Sequence, residues 1–162
     1  MTIFLTGCTH FGHEKIVRLA KRPFSSLQEM EETLIENWNK TVSANDTVYH
    51  HGDFAYKASG DIKKKYLSRL NGNIILIQGN HDPRNWGKDI VQINHKFEGK
   101  DRKVVMCHYP IEEWNGWFHG SVHFHCHTHK PEFKSAERRG NVGVDSTNFT
   151  PIALDDAIKK VL

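Results

Sequence analysis

The 162-residue sequence contains little cysteine, no long apolar run and no large excess of charge of either sign. Its three cysteines are odd in number and widely spaced, which argues against a disulfide framework. No apolar stretch approaches the roughly 18 residues of a membrane span, and the first residues lack the basic segment of a secretion signal. The formal net charge is only +3 and the basic residues are dispersed, so no strong nucleic-acid signature is present. We therefore expect a cytoplasmic protein without a membrane partner.

Histidine is the residue type that the chain has in excess, with 12 copies. Four of them alternate with other residues in the segment 122–130. Such alternation is typical of a strand with one solvated polar face, but imidazole is also the commonest metal ligand near neutral pH. The composition is otherwise that of an ordinary globular protein, and the length fits one domain over residues 1–162. The local pattern leaves both interpretations of the histidines open.

Hydrophobic spacing predicts an alternation of short strands and helices. An unbroken apolar run at 74–77 predicts a strand buried on both faces. Ser26 and Glu29 form a capping box before the longest helix, and Asp155 is expected to cap the last one. The predicted strands cover 3–6, 47–50, 74–77, 90–97, 103–107 and 141–145, and the predicted helices cover 14–21, 27–42, 61–70 and 155–162.

Metal-binding side chains follow five of the predicted strand ends. In an α/β protein such ends can converge on one edge of a sheet, where ligands commonly bind. A single aspartate or histidine in a loop carries little information, but five coincidences of ligand type with strand end indicate one shared metal site. The side chains are Cys8 and His10, then Asp53, then Asn80 with His81, then His108, and finally His127 and His129.

The order and spacing of these residues resemble the calcineurin-like metallophosphoesterases, in particular their short bacterial and phage-type members. The signature of that family is Asp-x-His, Gly-Asp, Gly-Asn-His-Asp/Glu, a single His, and Gly-His-x-His. This chain has Cys8-Thr9-His10, Gly52-Asp53, Gly79-Asn80-His81-Asp82, His108 and Cys126-His127-Thr128-His129 in that order. The resemblance extends from about residue 3 to about residue 145.

The resemblance implies an α/β fold, a four-layer α/β/β/α sandwich of two mixed sheets flanked by helices. It also implies two divalent metal ions, with Mn, Zn, Fe and Ni as candidates. Asp53 would bridge the two ions, which in such sites lie about 3.5–4 Å apart. Cys8, His10 and His129 would complete the first position, and the second would be completed by Asn80, His108 and His127.

The reaction implied by the resemblance is hydrolysis of a phosphodiester or phosphomonoester by a hydroxide that bridges the ions. The substrate would be a phosphorylated small molecule or a nucleotide. His81 would stabilise the transition state or protonate the leaving group. Asp82 would either orient His81 or cap the turn before Pro83. His13 and His125 would orient ligands or contact substrate.

Two residues depart from the family signature. Cys8 replaces its first aspartate; a thiolate ligand shifts metal preference toward zinc or iron, and an unliganded thiol would leave the first position weak or empty. Cys126 replaces a glycine, so the backbone there is either left-handed or that of an ordinary strand. A disulfide between the two is disfavoured by a reducing cytoplasm. The alternative function is therefore a degenerate, non-catalytic member that binds metal or a phosphorylated ligand.

The other unusual residues receive structural or supporting roles. His123 is expected to be structural, and Asp145 is expected to fix a neighbouring loop. The aromatic group of Trp114, Trp117 and Phe118 forms either a wall of the substrate cleft or a small satellite of the core. The remaining histidines, expected at the surface or behind the ligands, are His50, His51, His95 and His119.

Overall fold

The computed structural model describes residues 1–56 and 60–162. Nine strands and four α-helices alternate along these residues, together with a 3-10 turn at Trp117–His119. The strands are β1 (Ile3–Thr6), β2 (Thr47–His50), β3 (Asn73–Leu76), β4 (Ile90–Phe97), β5 (Lys100–Cys107), β6 (Val122–His125), β7 (Lys134–Ala136), β8 (Arg139–Asn141) and β9 (Ile152–Ala153). The helices are α1 (Glu14–Leu19), α2 (Leu27–Thr41), α3 (Gly60–Leu67) and α4 (Leu154–Val161).

The strands form two mixed sheets flanked by helices, which confirms the predicted fold class. The first sheet has the order β3-β2-β1-β9, and its first three strands are parallel. The second has the order β4-β5-β6-β8-β7, with β5, β6 and β8 parallel. No helix in the described part of the chain is long and apolar enough to cross a membrane.

The hydrophobic core has two parts, one on each side of the first sheet. Phe4 and Val48 point toward the side that α1, α2 and α3 cover. The next residues along the same strands, Leu5 and Tyr49, belong to the part that is shared with the second sheet and α4. Since side chains alternate between the faces of a strand, both faces of the first sheet are buried by this arrangement.

Several predicted elements are present at the predicted places, and the third strand differs in burial. The strands at 3–6, 47–50 and 90–97 have the predicted bounds. The apolar run at 74–77 forms β3, shifted by one residue, but its side chains are only partly buried. The reason is that β3 lies at the edge of its sheet, but Ile74 packs against one part of the core and Ile75 against the other, so both faces of the strand are covered as predicted.

Two predictions at the C-terminal end were wrong. A strand was expected at 141–145, but the strand that pairs with β6 is β8, which ends at Asn141. The chain turns beyond that residue. Asp155 does not cap α4: the residue at the cap is Ala153, and the carboxylate of Asp155 instead lies 2.6 Å from His95 Nε2. In the capping box, the Ser26 hydroxyl accepts from the Glu29 amide as expected, but the Glu29 carboxylate accepts from the Ser25 amide, one residue earlier.

Candidate metal centre

The loops that follow the parallel strands meet at one edge of the two sheets. The Cys8 amide donates to the Gly52 carbonyl and the His10 amide to the Asp53 carbonyl, each at 2.9 Å. Backbone hydrogen bonds therefore join the loop after β1 to the loop after β2. The amide of His127, from the second sheet, donates to Cys8 Sγ at 3.1 Å. The side chains predicted from five separated segments therefore lie in one place.

Asp53 lies at the centre of this cluster. Its Oδ1 accepts a hydrogen bond of 2.9 Å from the His81 amide, which fixes the carboxylate. Its Oδ2 lies 3.5 Å from His10 Nε2 and 3.5 Å from His108 Nε2. One carboxylate oxygen thus faces a histidine nitrogen on each side, the arrangement expected of a ligand shared by two ions.

On one side of Asp53, three polar atoms converge on a small space. Asn80 Oδ1 lies 2.8 Å from His108 Nε2 and 3.1 Å from His127 Nδ1, and these two nitrogens are 3.1 Å apart. His108 Nδ1 lies 2.7 Å from the His51 carbonyl. Because a carbonyl can only accept, a proton on Nδ1 would serve this contact and would leave the Nε2 lone pair for a cation.

On the other side of Asp53, donor atoms of Cys8, His10 and His129 all lie within 4.8 Å of one another. His10 is 1% exposed, and its Nε2 has no hydrogen-bond partner among the described residues. Burial and the neighbouring His129 and Arg22 lower the pKa of His10 far below its ordinary value, so the ring is neutral. A buried, neutral and unpartnered nitrogen beside a thiol and an imidazole fits a metal ion.

The backbone around this cluster is unusual. Five of the seven predicted ligands have a left-handed conformation, with φ between 51° and 57°, and these are Cys8, His10, Asp53, His127 and His129. Residues other than glycine adopt this region at a cost, and such conformations concentrate at functional sites. The same residues supply donor atoms to the clusters of candidate metal ligands.

Glycine is required where the Asp53 and Asn80 loops touch. Gly52 has a φ of +90°, and a Cβ on it would lie 2.5 Å from the Gly79 amide nitrogen. A Cβ on Gly79 would overlap both the backbone and the carboxylate of Asp53. The glycines of these two motifs are therefore explained by the close approach of the loops.

Asp82 joins the Asp53 and Asn80 loops. Its carboxylate accepts hydrogen bonds from the amides of Asp53 at 2.7 Å, Phe54 at 2.9 Å and Gly79 at 2.9 Å. Asp82 therefore holds the two loops against each other, and its bond to the Gly79 amide agrees with the predicted cap of the turn before Pro83.

The two cysteines that depart from the family signature lie next to each other as free, buried thiols. Cys126 is not left-handed, and its thiol donates to the His51 carbonyl at 3.0 Å. Burial, followed by the neighbouring Cys8 thiol, raises the pKa of Cys126 well above its ordinary value. The chain therefore tolerates a side chain at this position by using it to fill the space beside Gly7, where a Cβ would lie 2.8 Å from the Cys126 sulfur.

The histidines predicted to support the site lie at different distances from it. The His13 ring stacks on Tyr56, with centroids 3.9 Å apart, and its Nδ1 is 3.5 Å from His10 Nδ1. The exposed His81 ring lies 5.6 Å from the His10 ring. His125 lies farther back, bound to the Cys126 carbonyl at 3.0 Å and the Ser135 hydroxyl at 2.7 Å.

Other histidines are more buried than the sequence indicated. His50 and His51 are fully buried, which excludes the surface position, and the His51 carbonyl lies behind the candidate ligand His108, the other predicted position. His123 is also buried and bonded on both ring nitrogens, to the Val105 and Tyr109 carbonyls and the Ile111 amide, which confirms its structural role. The alternation in β6 consequently produces no solvated face.

Among the aromatic residues between β5 and β6, Trp114 is buried and donates to the Ser121 hydroxyl at 2.9 Å, whereas Phe118 is 80% exposed. Tyr109, which the sequence did not single out, packs on the site itself. Its ring lies 4.7 Å from the His127 ring and is 45% exposed. It is therefore a better candidate than the tryptophans for a wall beside the metal positions.

Sequence reasoning also missed Arg22, a buried cation behind the first metal position. Its guanidinium donates to the Cys8 carbonyl at 2.6 Å, the Thr9 carbonyl at 3.1 Å and the Asp145 carboxylate at 2.9 Å. Asp145 in turn lies 2.8 Å from His129 Nδ1. Burial alone would raise the pKa of Asp145, but the bonds from His129 and Arg22 hold it below its ordinary value.

Comparison with known proteins agrees with this geometry. Residues 1–95 match the calcineurin-like phosphoesterase family. An uncharacterized protein of Methanocaldococcus jannaschii is 33% identical over 165 aligned positions, which cover 98% of this chain and 90% of that protein.

Two solved structures share the fold. A protein of unknown function from Aquifex aeolicus superposes with a TM-score of 0.72 at 21% identity, covering 99% of both chains. A Vps29 single mutant from Entamoeba histolytica superposes with a TM-score of 0.50 at 16% identity, covering 88% of this chain and 73% of that one. The family match over residues 1–95, more than half of the sequence, shows that the chain belongs to the calcineurin-like phosphoesterase family.

Proposed function

We propose that the protein hydrolyses a phosphodiester or phosphomonoester with two divalent metal ions. The observation that carries this proposal is the position of Asp53 Oδ2, 3.5 Å from a histidine nitrogen on either side. Each side also holds further donors, so one carboxylate is shared between two groups of ligands. The donors fit two ions, held by Cys8, His10 and His129 on one side of Asp53 and by Asn80, His108 and His127 on the other.

Ions at these positions would activate a water nucleophile and offset the negative charge of the phosphoryl group. The chain itself would supply the proton for the leaving group. His81 is anchored through its backbone amide to Asp53, while its ring remains exposed at the mouth of the site. An imidazole in this position can protonate the departing alkoxide, the role of a general acid.

The donor set favours metals softer than magnesium. It combines one thiol with four imidazoles, one carboxylate and one amide oxygen, and Cys8 Sγ accepts a hydrogen bond from the His127 amide. Sulfur and imidazole ligands suit zinc and iron, and manganese and nickel are the other candidates.

The substrate in this proposal is a phosphorylated small molecule or a nucleotide. Tyr109 presents a half-exposed ring beside His127, and Tyr56 stacks on His13 at the other side of the site. Flat aromatic surfaces on both sides of the metal positions suit an organic group attached to the phosphate.

Reconstitution with single metals tests the proposal. Metal-free protein loaded separately with Mn, Zn, Fe or Ni is expected to hydrolyse bis(p-nitrophenyl) phosphate, and Asp53→Asn is expected to lose that activity. Asp101→Asn, at the exposed start of β5, is the matched control and should retain it. Absence of turnover with every metal, when both positions are filled, would favour the degenerate member that binds metal or a phosphorylated ligand without catalysis.

A further inference from the structure

A basic pocket of about 350 Å³ lies beside the loop that carries His127 and His129. Thr128, the residue between these two histidines, forms part of its wall, so the pocket shares the loop of the two candidate ligands. The rest of the wall comes from Pro110 after β5, from His125 at the end of β6, from the loop that follows it, and from β7 and β8. The lining residues that matter for its chemistry are Pro110, Thr128, Lys130, Lys134, Ser135 and Arg139.

The charge of the lining is positive. Lys130, Lys134 and Arg139 contribute three cations against one acidic residue, Glu132. Within residues 1–56 and 60–162, neither lysine ammonium group has an ion-pair partner. The pocket therefore combines positive potential with two donors that are available to a ligand.

The wall of the pocket is fixed by internal hydrogen bonds. Arg139 Nη1 donates to the Ile111 carbonyl at 3.0 Å and its Nε to the Ser135 hydroxyl at 3.2 Å. Buried Asn141 donates to the Lys130 carbonyl at 3.0 Å, which ties the loop of the two candidate metal ligands to β8. The arginine is thus held in place as a constant charge, and Lys130 is presented from an anchored backbone.

We propose that this basic pocket binds a second phosphate group on the substrate, so that the protein prefers bisphosphorylated compounds to monophosphorylated ones. The inference rests on the proposed function, because the first phosphate is the one placed at the metal positions. Lysine binds phosphate as a compact point charge, with charge-assisted hydrogen bonds that strengthen binding.

Calorimetric titration of the manganese-loaded His81→Ala protein, which is expected to keep its metal and lose most of its turnover, tests the proposal by binding alone. Adenosine 3′,5′-bisphosphate is expected to bind about tenfold more tightly than adenosine 5′-monophosphate, as two partly exposed ion pairs would give. In the double variant Lys130→Gln/Lys134→Gln this preference should disappear, while the affinity for the monophosphate changes by less than about twofold.

The control carries the same charge change elsewhere. Lys96→Gln/Lys100→Gln alters two exposed lysines of the β4–β5 hairpin and should keep the preference. Equal affinities of the two compounds for the protein with all four lysines in place would overturn the proposal, and so would the same loss in both double variants. Because heat of binding is measured, a failure of catalysis in the aryl phosphodiester assay leaves this test intact.

Discussion

The carboxylate of Asp145 lies 2.8 Å from His129 Nδ1, a contact that leaves Nε2 of that ring for the proposed first metal position. Arg22 donates to both oxygens of the same carboxylate, at 2.9 and 3.1 Å. A carboxylate that binds the distal nitrogen of a metal-ligating histidine fixes its tautomer and orientation and increases its basicity. Asp145 and Arg22 are therefore positioning residues for this histidine.

Replacing Asp145 by asparagine should weaken metal binding at the first position by about 10- to 100-fold, which is the usual cost of losing such a partner. Calorimetric titration with zinc measures the change. The matched control is Asp155→Asn, because Asp155 also binds a histidine, His95 at 2.6 Å, but far from the site and largely exposed. Equal zinc affinity in both variants would show that the Asp145 contact does not act on the metal.

Two adjacent residues should separate metal binding from catalysis. Asn80→Ala removes an oxygen that lies within 3.1 Å of two histidine nitrogens, so the metal content should fall by about one ion per chain. His81→Ala should keep its metal, since only the backbone amide of His81 contacts Asp53, while kcat falls by about 10²- to 10⁴-fold, as for loss of a general acid.

Metal analysis and steady-state kinetics on the same preparations measure both quantities. His119→Ala changes an exposed histidine outside the site and should alter neither. An unchanged kcat in His81→Ala would contradict the general-acid role.

Local sequence patterns predicted the residues whose roles depend on their own loops. Asp53 and Asn80 each follow a glycine at the end of a strand, and those glycines are needed where the loops touch. Arg22 could not be found in this way, because its partner Asp145 is 123 residues away and the pair is created only by tertiary packing.

Differences between the predicted and the observed fold have a similar origin. The apolar run of β3 cannot reveal that the strand lies at a sheet edge, since sheet order depends on the other strands. The strands β7 and β9, with three and two residues, are too short for a periodic signal. Asp155 has the residue type of a helix cap, yet the helix begins one residue earlier and the carboxylate binds His95 instead.

Restoring the family aspartate at position 8 should change the metal preference. In Cys8→Asp a hard oxygen replaces a soft sulfur among donors that include His10 and His129, so manganese-supported kcat/KM is expected to rise by about tenfold and zinc affinity to fall. The comparison is made with both metals at saturating occupancy. Cys107→Ser, which alters a buried thiol outside the ligand clusters, should leave the preference unchanged. The same preference in Cys8→Asp as in the original protein would exclude Cys8 as a ligand.

The fully buried His50 should make the stability of the fold depend on pH. Burial, together with neighbouring His51 and His108, lowers the pKa of His50 to about 3, compared with 6.5 for an exposed histidine. Between these values the unfolded chain binds a proton that the folded chain excludes. The contribution of His50 is therefore complete above pH 6.5 and is lost as the pH falls toward 3, with a slope of about 1.4 kcal/mol per pH unit.

His50→Gln removes this titration while an amide can still bond to the Thr9 hydroxyl, which lies 3.0 Å from His50 Nε2. Urea unfolding at several pH values from about 4 to 6, in a chelator so that metal loss does not contribute, should give a slope of stability against pH that is smaller by up to about 1.4 kcal/mol per unit. The same substitution at exposed His119 should leave the slope unchanged. If both variants titrate like the original protein, the acid sensitivity does not arise from His50, and other groups must take up the protons.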